Sequence, residues 1–308
     1  MKLTVVVPTH GRRDLLDRLL ASLREQRDAP AFDVVIVDDG VDPALGEHVA
    51  AQELPFPVRV LHHETNRGRS ATRNTGLAAA TGDVVVFLDG DMRVCPEFLA
   101  AHAAAHAVGD VALGNIVTAP EVRRNAFVEY IDSRGVKKVA NGTEIPPRYF
   151  MTGNSSVARE LTARAGGFDP EFDEYGGEDT EMGYRLAAHG ARFAYAERAV
   201  SWHLDLNSVP RMAERLRRYG ERMLPILVRK VPESYRELRL GLIDGDPSAG
   251  SWVSRHAARL LCRRAFWAPA AWIGERLPRG IPAAPLFDFV RAAAYLDGWR
   301  HRARGGRG

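Results

Sequence analysis

Three short stretches hold the side chains best suited to chemistry: Pro8-Thr9-His10, Asp38-Asp39-Gly40 and Asp89-Gly90-Asp91. Each follows an apolar run that reads as a buried strand. A single acidic strand end is accounted for by a turn or a helix cap. Two acidic ends in one sheet are different, because clustered carboxylates repel unless something cationic lies between them. A divalent metal answers that need, and hard oxygen ligands suit Mg²⁺ or Mn²⁺. For Asp89 and Asp91 taken alone, the turn and metal readings stand level. Neither of the standard glycine-rich phosphate loops is present, which disfavours classical dinucleotide and P-loop binding.

The elements that must position these groups follow from the hydrophobic pattern. Apolar, β-branched runs predict strands at 3–7, 33–38, 58–61 and 83–88, and leucines at helical spacing predict a helix over 13–27, with another at 70–80. Strands alternating with helices imply βαβ units and a largely parallel sheet. Continuous rather than alternating apolar runs imply a sheet covered on both faces. In such sheets ligands sit outside the carboxyl ends of the strands, where the three stretches lie. Residues 110–149 read as edge strands with a loop around 140–147. Beyond them come a turn at 166–169, a helix at 180–188, and candidate strands at 192–195 and 199–203.

The motifs then fall into a recognisable order. Val5-Val-Val-Pro-Thr-His-Gly-Arg12, Val35-Ile-Val-Asp-Asp-Gly40, Asn66-Arg-Gly68 with Ala71-Thr-Arg-Asn-Thr-Gly76, and Phe87-Leu-Asp-Gly-Asp91 resemble the ordered motifs of family 2 glycosyltransferases with the GT-A fold. Thr152-Gly-Asn-Ser-Ser156, Gly166-Gly-Phe-Asp169 and Gly176-Gly-Glu-Asp-Thr-Glu-Met-Gly-Tyr-Arg185 continue the resemblance toward the chondroitin-polymerase-like and galactosyltransferase-like branch. It covers about residues 3–205 and implies an α/β fold with a mixed, mostly parallel sheet flanked by helices. It also implies metal-assisted, inverting transfer of a hexosyl or N-acetylhexosaminyl group from a nucleotide sugar, UDP-linked by preference.

Residue by residue, the resemblance places Thr9 and Asp39 at the nucleobase and ribose. A buried carboxylate there suits an imide N–H. Asp38 either aids binding or caps the segment after it. Arg73 lies near the nucleotide or holds a strand-end aspartate, and Asn66 and Gly68 shape a loop. In Asp89-Gly90-Asp91, Asp91 meets the metal and Asp89 approaches the ribose or donor sugar; alternate residues at a strand end share a face, so both reach one site. Glu178-Asp179 matches the acidic pair that supplies the general base, with Asp179 as the base itself and Gly176-Gly177 freeing the loop. The same acids would also favour the positive end of the helix they start. His203, in Val200-Ser-Trp-His203, matches a metal ligand, and a nitrogen ligand tilts the choice toward Mn²⁺. His102 and His106, four apart on an expected helix, read as a solvated face.

Composition bounds the rest. The 308 residues, 45% apolar and 26% charged, exclude a fibrous, disordered or disulfide-framework protein. A formal charge of +3 conceals a split: residues 211–308 hold 20 Lys/Arg against 9 Asp/Glu, a net +11, which leaves −8 for the residues before them. This predicts a catalytic domain at 1–208 and a basic helical region at 209–308. Arginines 211, 215, 218 and 222 share a helical face. Arginines 255, 259, 263 and 264, followed by Phe266, Trp267 and Trp272, suit either an interfacial helix on anionic lipid or aromatics packed inward beneath solvated arginines. No nucleic-acid recognition module is visible. Two distant cysteines, no signal-peptide pattern and no spanning segment lead to an expectation of a cytoplasmic protein, with peripheral contact at the inner membrane face left open. Saccharide, lipid-linked, peptide and natural-product acceptors are all open. The rivals are a sugar nucleotidyltransferase, whose glycine-rich basic loop is missing after the first strand, and a non-catalytic nucleotide-sugar-binding protein.

Overall fold

The computed structural model describes residues 1–136 and 145–302. The loop expected around 140–147 lies outside them up to residue 144, as does the tail from 303. The chain divides into two units: one made of Met1–Val122, Asp132–Asp173 and Glu178–Asp205, the other of Arg123–Ile131, Glu174–Gly177 and Leu206–Gly308.

The first unit is an eight-stranded sheet with helices. In chain order its elements are β1 (Leu3–Thr9), α1 (Arg13–Arg24), β2 (Phe32–Asp38), α2 (Leu45–Ala50), β3 (Val58–His62), α3 (Gly68–Ala79), β4 (Val84–Leu88), β5 (Met92–Val94), α4 (Phe98–Ala105) and β6 (Val111–Thr118). Then follow α5 (Ala126–Asp132), whose residues fall mostly in the second unit, and β7 (Asn154–Ala158), α6 (Arg159–Arg164), α7 (Glu178–Ala188) and β8 (Phe193–His203). The strand order is β3-β2-β1-β4-β7-β6-β8-β5. Strands β3, β2, β1 and β4 run parallel, β7 is antiparallel to both β4 and β6, β6 and β8 are parallel, and β5 is antiparallel to β8. Both faces are covered. Val5, Val7, Val86 and Leu88 pack toward α1 and α4, while Val6, Val85 and Phe87 pack with Phe168, Met182 and Leu186.

Two expectations need correction. Residues 111–118 form an interior strand rather than an edge strand, since β6 lies between β7 and β8. The expected strands at 192–195 and 199–203 are one strand, β8, with a bulge: Gly114 pairs Ala196, but Asn115 pairs Val200. A bulge exposes ladder groups that need partners. Here the Asn154 amide fills the gap, donating to Ala199 O and Ser201 Oγ at 2.9 Å each.

That amide also corrects the reading of His102 and His106. His102 is fully buried, with Nε2 2.9 Å from Asn154 Oδ1 and Nδ1 2.9 Å from Ser156 Oγ. Asn154 Nδ2 is committed as a donor, so Nε2–H of His102 donates to Oδ1 and Nδ1 accepts from Ser156. Burial lowers the His102 pKa to about 4, keeping the ring neutral. His106 Nε2 lies 2.8 Å from the same serine. In residues 98–106, alanines surround the two histidines and give no polar–apolar contrast to show which way they face.

The second unit is helical: α8 (Val209–Lys230), α9 (Glu233–Glu237), α10 (Gly241–Asp244), α11 (Trp252–Leu261), α12 (Arg264–Arg276) and α13 (Ala284–His301). Ser208 caps α8, with Pro210 in its first turn. Trp267 and Phe287 anchor the core, and Trp267 Nε1 donates to the buried Asp297 at 3.2 Å. Helices α8 and α13 touch backbone to backbone: a Cβ on Gly298 would overlap the Arg217 carbonyl oxygen, and one on Gly220 the Tyr295 carbonyl oxygen. Gly298→Ala is therefore expected to cost about 1–3 kcal/mol through overpacking, read as a shifted denaturant midpoint. Not all the α8 arginines are solvated. Arg222 pairs with Glu174, and the Arg215 guanidinium lies 3.8 Å from the Tyr175 ring centroid. Cys95 and Cys262 are both free and buried. Among the described residues no helix is long and apolar enough to cross a membrane.

Candidate active site

Parallel pairing brings the predicted strand ends together. Thr9 sits opposite Asp38 across β1 and β2, and Asp39 N donates to Thr9 O at 3.0 Å. On the other side of β1, a Cβ on Gly90 would come 3.1 Å from Pro8 O, so that turn lies tight against the end of β1.

Asp38 and Asp39 organise the loops around them. Asp38 is wholly buried. Its Oδ2 accepts from Val41 N (3.2 Å), Asp42 N (2.9 Å) and the His62 ring (2.6 Å), and its Oδ1 has no partner. The geometry is that of a turn cap. Asp39 accepts from His63 Nδ1 (2.8 Å), Arg67 N (2.8 Å) and Gly68 N (3.0 Å). Burial opposes its charge, but the Arg67, His63 and Gly68 hydrogen bonds outweigh this and hold its pKa below the usual carboxylate range. Asn66 Oδ1 accepts from Gly68 N (3.0 Å), as a loop former should. His62 and His63 carried no ligand-like spacing, so their service to the two aspartates was not visible in the sequence.

The centre of the site is Arg73, 2% exposed at the middle of α3. It bonds Glu178 Oε1 at 3.1 Å and Asp89 Oδ1 at 3.3 Å, and lies 3.6 Å from Asp179 Oδ1. The local arrangement matches the reading in which Arg73 holds a strand-end aspartate, extended to the acidic pair. One guanidinium facing three carboxylates leaves a local charge of −2. Asn74, the next residue, fixes the neighbouring turn: its side chain both donates to Phe168 O and accepts from Phe168 N, at 2.7 Å each.

Glu178 and Asp179 begin α7 but face different surroundings. Glu178 is buried against Arg73. Asp179 keeps 25% of its side chain exposed and accepts from Thr152 Oγ1 (2.9 Å) and Thr152 N (3.3 Å). Burial of the carboxyl, reinforced by Glu178, raises the Asp179 pKa to about 6 against the pull of Arg73 and Thr152. Thr152 was visible only as part of a motif; its role as the group orienting Asp179 needed the three-dimensional pairing. Gly176 and Gly177, just before the acids, have φ of 101° and 96°, a region that requires glycine.

Asp91 and His203 meet because β5 pairs with β8, Met92 opposite His203, with Leu204 N donating to Asp91 O at 3.1 Å. His203 Nε2 lies 3.6 Å from Asp91 Oδ2. Asp91 Oδ1 and His203 Nδ1 are both buried without a partner. Burial pushes the Asp91 pKa up, His203 opposes this and Asp89 adds to it. Two unsatisfied polar atoms and surplus negative charge fit a cation. Among the described residues no three His, Cys, Asp or Glu side chains are grouped to hold a metal by themselves. Two side chains suffice for a cation that takes its other ligands from substrate phosphates and water, the usual habit of Mg²⁺.

Comparison with known proteins places this site in context. The profile of Glycosyl transferase family 2 matches residues 4–175. The chain is 28% identical over 270 residues to the chondroitin synthase of Escherichia coli, an alignment that takes in 76% of this chain and 39% of the synthase. The chain thus spans well under half of that relative. Among solved structures, the mannosyltransferase PcManGT from Pyrobaculum calidifontis, in complex with GDP-Man and Mn²⁺, superposes with a TM-score of 0.59 at 21% identity, covering 96% of this chain and 87% of that one. S. aureus TarS 1-349 in complex with UDP-GlcNAc gives 0.56 at 20% identity, covering 97% and 90%. These likenesses establish the GT-A fold. The family match over more than half of the chain carries the assignment: this protein is a member of glycosyl transferase family 2.

Proposed function

We propose that the protein is an inverting, metal-assisted glycosyltransferase that moves a hexosyl or N-acetylhexosaminyl group from a UDP-sugar to an acceptor hydroxyl. The observation that carries this is the pairing of Asp91 with His203, each with a buried unsatisfied atom, while Asp89, which acts on Asp91, also acts on Asp179, a carboxylate whose pKa is raised to about 6. Asp91 and His203, with Asp89 nearby, would hold Mn²⁺ or Mg²⁺. When bound, the cation neutralises charge on the departing diphosphate. Thr9 and Asp39 are proposed at the base and ribose, where Asp39 keeps little capacity beyond its internal bonds. Asp38 and Gly90 shape the adjoining turns. Arg73 holds Glu178, Asp89 and Asp179 in place.

Asp179, oriented by Thr152, accepts the acceptor's hydroxyl proton as the hydroxyl oxygen attacks the anomeric carbon. The bond to the diphosphate oxygen breaks in the same displacement, which inverts the centre. The first unit is proposed as the catalytic domain, and residues 211–308 as the region that meets acceptor or membrane. The test is release of UDP from a panel of UDP-sugars with Mn²⁺. A donor-selective signal is expected, and its absence for every donor would remove the transferase reading.

A base with pKa near 6 predicts a pH profile. Asp179 must be ionised to accept a proton, so kcat should fall as pH drops through about 6 and level off above it. The check is kcat, at saturating donor, measured from pH 5 to 8; a flat profile contradicts the assignment.

A further inference from the structure

Helix α11 is amphipathic, yet its apolar side faces outward. At 100° per residue, Trp252, Val253, His256, Ala257 and Leu260 share one side, and none of the helix's residues is buried. Trp252 is 65% exposed, Val253 67% and Leu260 49%. On the flank beside Trp252, Arg255 and Arg259 are spent on the chain itself: Arg259 donates to Ile243 O at 2.8 Å and Arg255 to Gly250 O. Of the second arginine stripe, Arg255 and Arg259 are therefore tied to the chain, while Arg263 and Arg264 are exposed. Trp267 alone of the three named aromatics is buried; Phe266 and Trp272 are exposed.

A helix whose arginines are tied to its own chain while its tryptophan stands in solvent offers an apolar patch to a partner. The surrounding charge identifies that partner. Residues 252–281 hold six arginines and one acidic residue, Glu275. Arg263, Arg264, Arg276 and Arg279 all lie exposed, although Arg264 faces Glu214 at 3.5 Å and Arg279 bonds Glu129 at 3.0 Å. The Arg276 guanidinium stacks 3.7 Å from the ring centroid of Trp272, itself 56% exposed with Ile273 beside it. Exposed Trp and Leu on one helix, followed in sequence by exposed Trp, Ile and arginine on the next, match helices lying in the interface of an anionic bilayer. No helix described here can span one, so the contact is of the kind that lies on the surface.

We propose that the outward face of α11, centred on Trp252, Val253 and Leu260, is a docking surface for anionic lipid. This refines the membrane contact proposed for residues 211–308. It is independent of the transfer chemistry, because vesicle binding and UDP release are read separately.

The test is flotation of the full chain with phosphatidylglycerol vesicles and with phosphatidylcholine vesicles, using wild type and the double variant Trp252→Glu/Leu260→Glu. Both residues are exposed, so the variant should keep the wild-type melting temperature; Val253→Glu serves as a second variant should it not. Wild type is expected to float with phosphatidylglycerol, and to do so less as salt is raised. The variant's bound fraction should fall by about tenfold or more, since large apolar contacts are lost and two charges added. Failure of wild type to float, equal flotation with phosphatidylcholine, or unchanged binding by the variant each overturns the proposal. So does a wild-type dimer, detected by sedimentation, that the variant abolishes, because the face would then join two copies of this chain.

Discussion

Asp179→Asn is expected to lower turnover by about 10²–10⁴-fold while leaving donor binding nearly intact. Asparagine occupies the same space and its carbonyl can still accept from Thr152, so the geometry survives. What is lost is the capacity to take a proton. A kcat effect without a matching KM effect would mark an interaction made only in the transition state. The same substitution should not lower the melting temperature. The folded-state pKa of Asp179 lies above its ordinary value of 3.8, so protonation is favoured by folding. The stability from this group is present at low pH and is lost as pH rises through about 6. At neutral pH the ionised carboxylate is therefore a cost that asparagine removes. Loss of rate with stability kept or raised is the signature expected of a site residue. Near-wild-type turnover would mean that another group is the base.

The largest stability effect is expected at Arg73. Arg73→Met keeps much of the volume but leaves Glu178, Asp89 and Asp179 facing one another without a cation, two of them tied directly to the lost guanidinium. Breaking a buried charge pair by removing one partner costs about 3–5 kcal/mol. At ~2–4 °C per kcal/mol this lowers the melting temperature by roughly 10 °C. Arg73→Lys keeps the charge but not the planar fork that reaches several carboxylates, so it should fall between the two. Calorimetric melting of the three proteins checks this, and an Arg73→Met melt equal to wild type would show that the carboxylates hold themselves in place.

Much of the frame was legible because its signals are local. Val5, Val6 and Val7 form a strand too apolar to have a wet face, and both faces of β1 are indeed packed. Leu15, Leu16, Leu19, Leu20 and Leu23 repeat at helical spacing and are all buried in α1. The strand-end acids stood out because polar residues ended apolar runs. Pairings between distant segments were not legible. β6 and β7 are interrupted by Gly114, Ser155 and Ser156, so their apolar signal was weak, and their interior place is set by neighbours far along the chain. The arrangement of Asp91 and His203 depends on β5, three residues long and without a pattern of its own. The Arg73 cluster joins residues up to 106 positions apart. On α11 the periodicity was readable, but which side faces the protein is decided by backbone carbonyls of α10 and the turn before α11, which no pattern reveals.

The most direct measurement is UDP binding by titration calorimetry, with Mn²⁺ and with EDTA, for wild type, Asp91→Ala and His203→Ala. If Asp91 and His203 hold a cation against the diphosphate, Mn²⁺ should tighten UDP binding to the wild type by roughly tenfold or more. Asp91→Ala should abolish the gain and His203→Ala reduce it. Equal affinity in Mn²⁺ and EDTA, or a Mn²⁺ gain that survives in Asp91→Ala, would contradict the account.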